Sequence, residues 1–169
     1  MKILNMQTGL IFILLYFSSV LSVGAENNST AVKADAPTME AQAIALVDKA
    51  VLLIQDQGEA AFKRITAPEG GFFFKDKSLY TFVYDENVVI RAHPYKPTLI
   101  GRSYKGKPDV RGNMFRDEIV SKALKNNDGW TEYHYQKPGK SGIHRKKVYG
   151  KLVTHDGKKY IVCAGIYID

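Results

Sequence analysis

One change of hydrophobic period decides what this chain can fold into. Between Thr38 and Pro68 the apolar residues Ile44, Val47, Val51, Ile54, Ala61 and Ile65 recur at three- and four-residue steps, which lines them along one stripe of a long helix. Thr38 offers an N-cap oxygen, Glu40 an acid in the first turn, and Pro68 a stop, because proline disfavours helical geometry in the residue before it. Beyond Gly70-Gly71 the pattern alternates: Leu79-Tyr-Thr-Phe-Val-Tyr84 sets Tyr80, Phe82 and Tyr84 on one side of a strand and Leu79, Thr81 and Val83 on the other. Asp85-Glu-Asn87 is turn chemistry, and Val88–His93 reads as the returning strand, ended by Pro94 and Pro97.

A loop with Gly101, Gly106, Pro108 and Gly112 follows, and Asn113 is placed to cap a short helix carrying Phe115, Ile119, Ala123 and Leu124. Strands are expected at about 130–136, 146–154 and 159–168, the last two joined by the hairpin signal Asp156-Gly157. The expected class is α+β: a long N-terminal helix lays its stripe on one face of a five-stranded antiparallel sheet, and loops cover the other.

Ahead of this domain, residues 1–25 read as a secretory signal rather than an uncleaved anchor. Lys2 gives a positive start, Leu10–Phe17 an apolar core short for a membrane span, and Val23-Gly-Ala25 small residues suited to cleavage before Glu26. Residues 26–37, rich in Asn, Ser, Thr and Ala, read as a flexible leader, and 38–169 as one domain. No later apolar run approaches spanning length, so no stable membrane insertion is expected after cleavage, and a periplasmic or secreted location follows. The formal charge of +7 loses only Lys2 with the signal, and export sets aside nucleic acid as the partner of that positive balance. Cys163 is the single cysteine; it excludes an internal disulfide and sits in the apolar run Tyr160–Gly165, as a buried small hydrophobe does.

Catalytic signatures are missing. His93, His134, His144 and His155 lack metal-ligand spacing, and no nucleophile elbow, phosphate loop or dinucleotide fingerprint occurs. The expectation is therefore no enzyme, no metal and no cofactor. What the strands do carry is tyrosines mixed with cations: Arg91 alternates onto the face of His93, Thr131 onto that of Tyr133 and Tyr135, and Lys147 onto that of Tyr149. Hydroxyls beside one or two cations suit a small organic anion, since the cation supplies charge and the hydroxyls directed hydrogen bonds. The same residues also fit a plain sheet, where aromatics favour strands and lysines decorate a solvated face.

The blocks Leu79–Asp85, Arg91-Ala-His-Pro94, Leu99-Ile-Gly101, Gly129-Trp-Thr-Glu-Tyr133, Lys137-Pro138, Lys146-Lys-Val-Tyr149 and Ala164-Gly-Ile-Tyr-Ile-Asp169 resemble, in order and spacing, a single Cache domain. The resemblance implies a PAS-like sheet with a ligand pocket on the face away from the long helix, in a family of extracytoplasmic sensors of organic acids and other small metabolites. It places pocket candidates at Tyr80, Tyr84, Arg91, His93, Trp130, Tyr133, Lys146 or Lys147, Tyr149 and Tyr167. Two departures accompany it. Val88 stands where the family often has glycine, which would press Asn87 into a left-handed conformation, and Tyr135 stands where a tryptophan is frequent.

No second apolar span and no signalling domain follow within the sequence. The function expected is thus a free-standing, exported Cache domain that binds a small organic anion for sensing, or for presentation to a membrane receptor or sensor kinase. The alternative is a structural or protein-interaction module without a small-molecule ligand. An open cavity lined by polar tips would favour the first, and a filled one the second. For the signal itself, N-terminal sequencing of secreted material should begin at or near Glu26; membrane-retained protein with Met1 intact would contradict it.

Overall fold

The computed structural model describes residues 36–168; the signal and most of the leader read from the sequence lie outside the described residues. Helix α1 spans Met39–Gln57, and its N-cap is Thr38, whose Oγ1 accepts a hydrogen bond from the Ala41 N–H at 3.2 Å. Ala43, Leu46, Val47, Ala50, Val51 and Ile54 form its buried face. The helix expected to continue to Pro68 instead breaks at Gly58 and resumes as α2, Ala61–Thr66. Gly58 takes φ 56° and ψ −135°, a backbone state open to glycine alone. A β-carbon there would also lie 2.6 Å from the His155 ring. Ala67 is extended before Pro68, so α2 stops where the proline requires.

The sheet has six strands rather than five. They are β1 Phe73–Phe74, β2 Leu79–Asp85, β3 Ile90–Ala92, β4 Asp128–Tyr135, β5 His144–His155 and β6 Lys158–Tyr167. The additional strand is β1, whose two residues are too short to show an alternation. Both β1 and β3 pair with β2, which pairs with β6, then β5, then β4, all antiparallel. The β5–β6 hairpin turns at Asp156-Gly157, both with positive φ, as the Asp-Gly pair specifies.

At the β2–β3 turn the left-handed residue is Val88, at φ 61°, and not Asn87. A β-branched residue pays a steric cost there. Two features offset it: Val88 is buried, and the Asp85 carboxylate accepts the Asn87 and Val89 N–H groups at 2.9 and 3.0 Å. Helix α3, Phe115–Asn126, starts without a side-chain cap, because Asn113 is bonded to the Asp109 carboxylate instead; Leu124 of the expected stripe is exposed.

Two apolar clusters flank the sheet. Helices α1 and α2 pack on one face, against Leu79, Val83, Tyr149, Val153, Tyr160, Val162 and Ile166. Helix α3 and the long loop before it cover the other, against Tyr80, Phe82, Tyr84, Tyr133, Val148, Ile161 and Cys163. Cys163 is fully buried, and burial pushes its thiol up, out of the reactive range.

The break at Gly58 carries a test of this account. Gly58→Ala should lower stability by about 2 kcal/mol or more through clash and backbone strain together. Adding His155→Ala should return only the steric share, measured by urea denaturation. Full restoration in the double variant would assign the whole effect to the clash.

Candidate ligand pocket

The strand register sets a row of side chains on the α3 face. Tyr133 pairs with Lys146, and Lys146 with Tyr167, so β4, β5 and β6 each present one polar-tipped side chain at the same level. The Lys146 side chain needs open space over β6, and Gly165 provides it: a β-carbon there would come within 2.7 Å of Lys146 Cε and 2.4 Å of Val148 Cγ2. With that space the ammonium reaches β2 and donates to the Tyr80 hydroxyl at 2.9 Å. It lies 4.2, 5.4, 5.2 and 6.0 Å from the ring centroids of Tyr80, Phe82, Tyr167 and Tyr135. These are favourable cation–π distances. They do not replace an anion. Lys146 is 0 % exposed, and among the described residues no carboxylate forms an ion pair with it. Burial, with a smaller push from Lys96, brings its pKa down to about 7.

His93 stands beside this group, with Tyr80 and Phe82 ring centroids at 5.3 and 5.7 Å. Its Nδ1 accepts the Lys96 N–H at 3.0 Å, and burial together with Lys146, Lys96 and Arg116 holds it neutral, with a pKa of about 3. Arg116 of α3 closes the pocket. Its guanidinium is 4.1 and 4.5 Å from the Phe115 and Tyr104 ring centroids and donates to the Lys107 carbonyl at 3.3 Å. Burial pushes the Tyr84 and Tyr135 hydroxyls up, and Arg116 beside them pulls part of the way back. The space left here is about 10 Å³, room for one water; Tyr80, Tyr84, His93, Arg116, Tyr133 and Tyr135 line it with Phe82 and Phe115, and Lys146 does not. A cleft of about 210 Å³ lies outside, and Phe115, Arg116 and Tyr135 line both.

Of the residues read from the sequence, Tyr80, Tyr84, His93, Tyr133, Lys146 and Tyr167 meet on this face. The other four do not. A bulge in β3 is the reason for Arg91: Val83 pairs with Ala92 but Tyr84 pairs with Ile90, so one extra residue breaks the alternation. Arg91 therefore points to the helix face, 3.3 Å from Glu59, while His93 points away from it. Lys147 faces opposite to Lys146, as adjacent strand residues must, and pairs with Glu40 of α1 at 3.8 Å. Trp130 and Tyr149 pack against each other on the same helix face, at 5.3 Å, with the Lys147 ammonium 4.8 Å from the Trp130 ring. Sequence reading omitted Arg116, Phe82, Lys96 and Tyr135 from the site. Arg116 was detectable, since it stands on the Ile119, Val120, Ala123 stripe of α3, a place where a cation is out of character.

Cations on the two faces thus differ in kind. On the helix face Arg91, Lys147 and Lys151 each have a carboxylate, from Glu59, Glu40 and Asp48. On the pocket face, among the described residues, Lys146 and Arg116 have none. Such a pocket can hold an anion by charge and orient it with hydroxyls. Among the described residues no cluster of His, Cys, Asp and Glu could hold a metal ion.

The family model for Single Cache domain 2 matches residues 32–169, and the chain belongs to that family. A solved periplasmic sensor domain of a chemotaxis protein is 26% identical, with a TM-score of 0.63 over 76% of this chain and 94% of that one. A Cache chemosensory domain described for its recognition of carboxylic acid is 25% identical, with a TM-score of 0.63 over 76% and 92%. A methyl-accepting chemotaxis protein from Vibrio parahaemolyticus shares the fold at 20% identity, with a TM-score of 0.64 over 77% and 88%. No helix among the described residues is long and apolar enough to cross a membrane.

The burial of Lys146 has a measurable cost. An unfolded lysine keeps its proton to about 10.5, whereas the folded one loses it near 7. Between those values the unfolded chain binds more protons, so this residue makes the unliganded fold more stable as pH rises from 7 toward 10. Lys146→Met should stabilise the unliganded protein by about 2 kcal/mol or more at pH 6–7, with the gain shrinking steadily as pH rises from 7 toward 10. Equal stability of the two proteins across that range would contradict the buried, unpaired ammonium.

Proposed function

We propose that this chain is an exported sensory domain that reversibly binds a small carboxylate in the pocket between α3 and strands β2 and β4, opened as far as Lys146 of β5, and presents the occupied state to a membrane receptor or sensor kinase. The observation that carries the reading is the fully buried Lys146 ammonium, which has no carboxylate partner among the described residues and is ringed by tyrosines. A buried charge left without its partner costs several kcal/mol, and a carboxylate seated at Nζ would supply that partner. Tyr80, Tyr133 and Tyr167 would orient the ligand, His93 would wall it as a neutral ring, and Arg116 would meet its outer edge. The carboxylic acid recognition described for one solved Cache domain supports the same class of ligand. In this reading the chain performs no chemistry on its ligand, and the secretory signal accounts for a periplasmic or secreted location.

One observation favours the other reading, a structural or interaction module. The inner space of about 10 Å³ is nearly filled by the protein's own side chains. A ligand would need the Arg116 side chain and the loop around Tyr104 to move toward the outer cleft. Against a purely structural role stands the cost of the unpaired cations, since an apolar core of the same volume would be more stable.

Thermal-shift screening of the mature chain against short mono- and dicarboxylates tests the choice, because a ligand that binds the native state alone raises the melting temperature. For the carboxylate found, Lys146→Met should weaken binding by about 2 kcal/mol or more, roughly thirtyfold, by calorimetry. Arg91→Ala and Lys147→Ala, on the opposite face, should leave affinity within about twofold. Equal losses in all three would sink the assignment of the pocket.

A further inference from the structure

Nothing that faces Lys146 can answer its charge, and this holds for each element packed around it. Strand β2 contributes the Tyr80 hydroxyl and the Phe82 ring; the segment after β3 contributes His93 and Lys96. Strand β4 contributes Tyr133 and Tyr135, β6 contributes Cys163 and Tyr167, and α3 contributes Arg116, whose charge is felt at the neighbouring His93. Burial pushes Tyr80, Tyr133, Tyr135 and Cys163 up and His93 down, so each of these is neutral across the physiological range, while Lys96 and Arg116 are cations. These surroundings therefore favour the neutral amine above about pH 7 and leave an unpaired ammonium below it. Fully dry geometry and the absence of a carboxylate among the described residues both press in that direction, and they agree with a pKa near 7.

An anion seated against Nζ reverses that balance, because it supplies the one opposite charge the surroundings lack. We infer, resting on the reading that the pocket binds a small carboxylate, that the anion and a proton enter together, the proton coming to rest on Lys146. The step is R–COO⁻ plus H⁺ plus the neutral Lys146 amine going to R–COO⁻ held by the Lys146 ammonium; no bond within the ligand forms or breaks. The pocket then responds to the product of anion and proton concentrations, that is, to the acid rather than to its salt. Well below pH 7 Lys146 already carries the proton and affinity is flat; above it, affinity falls roughly tenfold per pH unit. Arg116 stays charged throughout, so it can hold an anion's outer edge at any pH but cannot confer this dependence.

The experiment uses the full mature chain with acetate, propionate and malonate as probes. Lysine side-chain NMR, with Lys146 assigned by its loss in Lys146→Met, follows the titration of the free protein. Calorimetry of each probe in two buffers of different ionisation heat counts the protons taken up. Expected are a free-state Lys146 transition within about one unit of neutrality, uptake approaching one proton at about pH 8 and near none at about pH 5.5, and no uptake in Lys146→Met. Binding that is equally tight from about pH 6 to 9, a free-state Lys146 still charged above about pH 9.5, or uptake that persists in Lys146→Met would overturn the coupling while leaving the carboxylate pocket standing. Failure of all three anions to bind across that range would bring down both.

Discussion

An ammonium group withdrawn from water needs something to answer its charge, and half of this domain is arranged around one such group. Lys146 can lie flat over β6 because Gly165 has no side chain, and it ends against Tyr80 because β2 is the next strand over. The rings of Tyr80, Phe82, Tyr135 and Tyr167 soften its isolation without ending it. Its neighbour Lys147, one residue on and facing the other way, has Glu40 and part exposure to solvent. Two identical side chains on consecutive residues thus have opposite surroundings: one joins the sheet to α1 through Glu40, and the other is buried among aromatic rings.

How much of this was legible in the sequence divides along physical lines. Periodicity and turn chemistry are local, and they located α1 and its Thr38 cap, the stop of the helical segment before Pro68, the central strands and the Asp156-Gly157 hairpin, though not the break at Gly58. Strand alternation also sorted Tyr80, Phe82 and Tyr84 onto one face and separated Lys146 from Lys147. Which face met the helix was not readable, because both sides of β2 are buried and neither carries a polar surface to mark it as outer.

The remainder depended on single residues whose effect is nonlocal. The bulge at Arg91 moves one cation from the expected face to the other, and nothing in Val-Ile-Arg-Ala-His announces it. Gly58 could have been taken for a tolerated helix glycine; it is a break, and the His155 ring packs into the space beside it from the far end of β5. Arg116 stands on the apolar stripe of α3, and its place in the pocket follows from the packing of α3 against the next strand, β4. For Gly58 the decisive partner is far along the chain, and for Arg91 it is the pairing register with β2; a one-dimensional pattern carries neither.

Trp130 is the only tryptophan in the chain, and it stands on the helix face, against Tyr149 and under the Lys147 ammonium. The pocket, by contrast, is furnished with tyrosines and phenylalanines. The indole is therefore a reporter confined to one side of the sheet. Indole emission reports on how the long helix sits on its strands, whereas phenol absorption comes from both faces, since Tyr149 and Tyr160 stand on the helix side. A change in indole emission on adding an anion that binds the opposite face would mark a disturbance that has crossed the sheet.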